Sequence, residues 1–197
     1  MDEMRERPIL FSGPMVRAIL DGRKTMTRRV VKPVPSDVWG HGVVTDTRST
    51  KFGKFCVHMR GEFCGDVHVD CPYGAPGDRL WVRETFAPME PIMSPPEMQG
   101  GVLYRASWSY ENTEPIWKPS IFMPRRASRI TLEIAGVRVE RLREISLGDA
   151  MGEGCPFPNM ADGDDPRQWF ADLWKSINGA DTWDANPWVW VVMFRRV

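Results

Sequence analysis

Histidine is scarce in this chain: His41, His58 and His68 are the whole complement, and all three fall in one weakly patterned stretch. The sequence therefore offers no evident serine–histidine pair for nucleophilic catalysis. Four cysteines read as free thiols or metal ligands rather than disulfides. Long apolar runs are missing as well. The longest, Trp188 to Phe194, is far too short to span a bilayer, and the charged N-terminus MDEMRERP lacks the apolar stretch of a secretory signal. These absences lead to the expectation of a cytoplasmic protein without a membrane partner; no protein partner can be named from the sequence. Net charge is also missing: 26 Lys and Arg balance 26 Asp and Glu, which excludes an overall attraction to nucleic acid or membrane.

The even balance hides an asymmetry. Residues 1–32 carry eight Lys/Arg against four acids and residues 118–143 carry seven against two, whereas 144–187 hold nine acids against two bases. If the two basic segments fold together they form a positive face suited to a phosphate-bearing partner; the alternative is an ordinary solvated surface. A chain of 197 residues with 42% apolar content fits one well-buried domain better than two small ones.

Patterning gives the elements. Pro8 to Phe11 reads as a strand, and Gly13-Pro14 opens a helix with Pro at its first position, where the missing N–H is harmless. Met15, Val16, Ile19 and Leu20 share one helical face, and Gly22 stands where a left-handed cap is wanted. Lys24 to Val31 reads as a strand, and Arg79 to Thr85 as another with Leu80 and Val82 on one face. Ser128 to Leu142 reads as two strands joined near Ala135-Gly136. Ser146 with Asp149 resembles a capping box, Asp165-Pro166 starts a helix with an apolar stripe ending at Ile177, and Pro187 to Arg195, apolar on both faces, predicts a central strand. About six strands and three helices point to an α+β domain with a small curled sheet, its loop-rich insertions lying at about 33–76 and 87–127.

Two constellations carry chemistry. "DGRKTMTRR", residues 21–29, places a lysine, two threonines and three arginines where a helix gives way to a strand. Lysine can replace histidine as a base when burial or neighbouring cations lower its pKa, and a threonine hydroxyl can serve as nucleophile. In an ideal strand Lys24 and Thr27 point to opposite faces, so they converge only if the corner turns Lys24 inward; otherwise these are solvated strand residues. The second constellation is Cys56, His58, Cys64, His68 and Cys71, five zinc-ligand types within 16 residues but without a C-x-x-C knuckle. It suits a structural zinc, or else partly buried thiols and surface histidines. The proposed lysine–threonine chemistry itself requires no cofactor.

"GRKTMTRR" after a short amphipathic helix resembles the signature of ASCH domains, relatives of the PUA domain. The segments "RPILFSGPMVRAILDGRKTMTRRVV", "CPYGAPGDRLWVRETF", "ASRITLEIAGVRVERLREIS" and "DANPWVWVVMFRRV" are similar to the longer phage and prophage members of that family. The resemblance implies one domain over 1–197 with a PUA-like small β-barrel, and a host-cell cytoplasm if the chain is phage-encoded. It implies a nucleoside or RNA as partner and, as in members that are acetylcytidine amidohydrolases, catalysis by Lys24, Thr27 and Glu153, with Glu144 as the fallback glutamate. Other members are ribonucleases or RNA-binding regulators, so the resemblance equally allows a noncatalytic module in which Arg23, Arg28 and Arg83 hold phosphates and Trp81 stacks on a base.

Overall fold

The computed structural model describes residues 4–32, 54–58, 66–89, 101–109, 114–157 and 165–197, the stretches 54–58 and 66–70 by their backbone alone. The chain starts with β1 (Glu6–Leu10) and α1 (Gly13–Leu20), which has Pro14 in its first turn and buries Val16, Ala18 and Ile19. Asp21 caps α1, Gly22 takes φ +76°, and β2 (Met26–Val30) follows. Next come β3 (Lys54–His58), β4 (Asp66–Asp70), β5 (Arg79–Arg83), β6 (Phe86–Pro88) and β7 (Val102–Tyr104). The rest of the domain is β8 (Thr131–Arg141), α2 (Leu147–Gly152), α3 (Pro166–Asn178) and β9 (Trp188–Arg196).

Five strands form the main sheet in the order β1-β5-β8-β9-β2, with β1 parallel to β5 and the other pairs antiparallel. β9, apolar on both faces, is hydrogen-bonded on both sides, and Val189 through Val192 are all buried. One sheet face carries Leu80, Val82, Leu132, Val139, Trp190 and Val192 under Val16 and Ile19 of α1. On the other face Val189 and Val191 pack with Ala150 of α2 and Phe170 and Trp174 of α3. The result is a mixed α+β architecture around a small sheet whose edges, among the described residues, are β1 and β2. The sheet curls so far that these edges meet through a side chain: Arg29 Nη2 donates to the Leu10 carbonyl at 2.9 Å.

The reading of residues 128–142 changes. Residues 131–141 are a single strand with a bulge between Ile134 and Gly136, not two strands. Gly136 stands beside that bulge, where a Cβ would lie 2.5 Å from the terminal methyl of Met193 across the ladder, the flexible end of a side chain that can move aside. Strands β3 and β4 form a hairpin, and β6 and β7 a second two-stranded sheet, both separate from the main one. The two basic segments do meet, but at each contact an arginine finds a carboxylate: Arg125 with Glu6, and Arg28 with Glu140. Among the described residues no helix is long and apolar enough to cross a membrane.

Candidate active site

The corner that ends α1 is built from backbone. Arg23 and Lys24 both donate their N–H groups to the Ala18 carbonyl at 2.9 Å, and Thr25 N–H donates to Gly152 O at 2.8 Å. Lys24 thereby lies outside β2, in an isolated bridge to Glu153, and strand alternation does not reach back to it. Glu153 arrives from the end of α2, a helix started by Ser146 Oγ accepting from Asp149 N–H and finished by Gly154 at φ +100°. A side chain at 154 would be strained by that φ and would place its Cβ 2.9 Å from Ala18 Cβ and 3.1 Å from Lys24 Cβ. Gly154 is therefore what allows the two corners to touch.

Lys24 Nζ donates to Glu153 Oε2 at 2.7 Å and to the Glu153 carbonyl at 2.9 Å. The side chains are 0% and 3% exposed. The ammonium nitrogen sits 5.7 Å from the centre of the Phe11 ring, in the α1-side core. Burial pushes the Lys24 pKa down from its ordinary value; Glu153 opposes this by charge and hydrogen bond, while Arg29 and Arg28 add to the depression.

Thr27 is 1% exposed and pairs with Val192, which faces the same α1-side core as Phe11. Lys24 and Thr27 thus lie on one side of the sheet. Thr27 and Glu153 both line a cleft of about 60 Å³ along the free edge of β2, between Met15 of α1 and Phe170, Trp174 and Ile177 of α3. Lys24, fully buried, does not line it.

Arg28 points to the opposite face. Its Nη1 donates to Glu153 Oε1 at 3.1 Å, Nε to Glu140 Oε1 at 3.1 Å, and Nη2 to Asp149 Oδ2 at 2.8 Å and again to Glu140. Its guanidinium is unexposed and stacks 5.7 Å over Phe170. Burial draws its pKa down, but Glu153, Glu140 and Asp149 together outweigh this and leave it raised. Arg138 closes the network, donating to Glu140 Oε2 at 2.9 Å and to Asp149 Oδ2.

The remaining sequence candidates sit elsewhere. Arg23 is partly exposed and bonds Gly154 O and Asp21. Trp81 and Arg83 form a stacked pair, 5.5 Å apart, on the face of β5 away from Leu80 and Val82; β8 and β9 separate that strand from β2. Glu144 is exposed and accepts from Arg141 N–H in the turn 142–144. In the cysteine–histidine cluster, Cys56 is in register with His68 across β3–β4, Cys64 lies outside the described residues, and Cys71 is a buried thiol whose pKa burial raises. Among the described residues no group of three His, Cys, Asp or Glu side chains could hold a metal ion.

Sequence reasoning did not pick out Glu140, Asp149 and Arg138. A trace of them was legible in "VRVER": Arg138 and Glu140 alternate with buried Val137 and Val139. Only Arg28 from β2 and Asp149 from α2 turn that polar face into a paired network. Comparison with protein-family models, curated proteins and solved structures finds no match to this chain.

Proposed function

We propose that this protein is an ASCH-type hydrolase of PUA-like build that removes the acyl group from an acylated cytidine or related nucleoside, with Lys24, Thr27 and Glu153 as its working groups. The observation that carries this reading is the fully buried Lys24–Glu153 pair beside a cleft that Glu153 and Thr27 line. A lysine stripped of solvent and flanked by Arg28 and Arg29 gives up its proton more readily than an ordinary lysine, as a general base must, and such perturbed groups collect at functional sites. The Arg29 tie between the two sheet edges supports the barrel-like part of the reading.

In this mechanism Thr27 Oγ1 attacks the acyl carbon while its proton passes to Lys24 Nζ. The C–N bond then breaks, and the departing amine takes that proton. Water hydrolyses the acyl–threonine ester, releasing the acid and restoring the hydroxyl. Glu153 orients Nζ through its 2.7 Å contact and stabilises the transient ammonium. A cleft of about 60 Å³ holds a few water molecules, so a nucleoside enters by displacing rim side chains, among which Ile177 is 54% exposed.

The second reading, a noncatalytic RNA- or nucleotide-binding module, draws on the Arg83–Trp81 pair. It is weakened by Arg28, whose guanidinium is committed to three carboxylates rather than to phosphate. The test is incubation with N4-acetylcytidine, other acylated nucleosides and short RNA, with products identified by mass spectrometry. Free cytidine and acetate from the wild type, absent with Lys24→Ala, support the hydrolase. Salt-sensitive RNA binding without hydrolysis of any substrate returns the binding module.

A further inference from the structure

We propose that Arg28 is a positioning residue of this site: gripped by Glu140 and Asp149, it takes one oxygen of Glu153 and so shares that carboxylate and its charge with Lys24. The inference takes its functional meaning from the hydrolase reading, while its geometry stands independently. Glu153 offers Oε2 to Lys24 at 2.7 Å and Oε1 to Arg28 at 3.1 Å. A carboxylate held by one cation can rotate about its last bond; held at both oxygens by cations from different directions, it cannot.

The anchoring extends through three elements. Arg28 comes from β2, Glu140 and Arg138 from β8, and Asp149 from α2, three residues after the Ser146 cap. Three cations, Lys24, Arg28 and Arg138, meet three carboxylates, Glu140, Asp149 and Glu153. The chain of contacts runs from Lys24, with no exposed side-chain surface, to Arg138, whose side chain is 33% exposed. Each of these three carboxylates has a cation, which lets so much charge stay under α2 and α3.

This arrangement also governs how firmly Lys24 keeps its proton. The charged groups facing Lys24 are Glu153 from the end of α2 and Arg28 and Arg29 from β2; neighbouring Arg23 is paired with Asp21. By occupying Oε1, Arg28 divides the field of Glu153 between two cations and weakens its hold on the Lys24 proton. A neutral Lys24 amine, the form needed to take the proton of Thr27, becomes easier to reach.

The chain has only six lysines, so selective ¹³Cε-lysine labelling gives a spectrum in which Lys24 is assigned by its loss in Lys24→Met. The pH titration of that signal is compared between the wild type, Arg28→Met and Arg28→Lys. The proton affinity of Lys24 should rise at least about tenfold in Arg28→Met and stay near wild type in Arg28→Lys, which keeps the charge. Should Arg28→Met not fold, Glu140→Gln replaces it and should lower the proton affinity, because a negative charge leaves the network. An unchanged affinity in the Met variant, an equal rise in the Lys variant, or a rise in Glu140→Gln overturns the proposal. The readout needs no substrate, so its failure is distinct from a failure to hydrolyse acylated nucleosides. If hydrolysis is found, the alkaline-rising limb of its pH–rate profile should move to higher pH in Arg28→Met.

Discussion

Lys24 and Glu153, 129 positions apart in the chain, meet three times: Nζ to carboxylate, Nζ to carbonyl, and backbone to backbone across an isolated bridge. Such a pair is a poor source of stability when intact, but removing one partner leaves the other buried and uncompensated. The two partners are not equivalent here. Without Lys24, Glu153 keeps Arg28; without the Glu153 charge, Lys24 loses its only carboxylate among the described residues. Glu153→Gln should therefore destabilise the protein by about 3–5 kcal/mol, and Lys24→Met by less. Urea unfolding of the two variants checks the order, and equal losses would contradict it.

The depressed pKa of Lys24 gives a pH dependence of definite sign. Between its folded value and its ordinary value of 10.5 the unfolded chain binds a proton that the folded chain does not, so stability from this group rises with pH through that window. Below the folded pKa the penalty of burying the ammonium is fully present. The stability difference between wild type and Lys24→Met, followed by urea midpoints into the alkaline range, should shift in favour of the wild type. A flat difference would mean that Lys24 keeps its ordinary proton affinity.

Gly154→Ala tests whether the close approach of the two corners holds the site together. The substitution meets a positive φ and two contacts near 3 Å at once, with Ala18 Cβ and Lys24 Cβ. Backbone strain of this kind costs about 1–3 kcal/mol, to which the displaced contacts add. The Lys24 ¹³Cε signal should move with it, because relief comes from shifting Glu153 away from Nζ. A variant as stable as wild type with an unmoved Lys24 signal would show that the corner yields freely.

A surface pair provides the contrast. Arg125 binds Glu6 at 2.9 Å with both side chains substantially exposed, and this hydrogen bond is the main reason the Glu6 carboxyl is held below its usual range. Its contribution is present above the ordinary carboxylate pKa and disappears as pH falls through the depressed value. Screening by water keeps it small, so Arg125→Ala should cost less than about 1 kcal/mol in urea unfolding at neutral pH.

Local chemistry made much of the fold legible. Pro14 and Gly22 bracket α1, Ser146 and Asp165 cap their helices, and the two-faced apolar pattern of β9 marks it as an interior strand, although β8, not β9, is the middle one. Gly136 misled, because a glycine beside a strand bulge looks, in one dimension, like a turn. The site was legible in pieces. Burial of Lys24 cannot be read from "GRKT", since the same letters suit a solvated strand; it depends on Gly154, 130 residues later, having no side chain. Arg28 presented itself as a phosphate ligand because its three carboxylates, Glu140 of β8, Asp149 of α2 and Glu153 at the end of α2, lie more than a hundred positions away in the sequence. The Cys64 part of the metal question lies outside the described residues.

The most direct test of the account is kcat/KM for N4-acetylcytidine with wild type, Lys24→Ala and Thr27→Ala, each checked for a folded spectrum. Loss of a base or of a nucleophile should each lower turnover by at least about a hundredfold. Hydrolysis by the wild type with both variants reduced to that extent is the predicted result. Hydrolysis that survives in either folded variant would contradict the assignment of Lys24 and Thr27 as base and nucleophile.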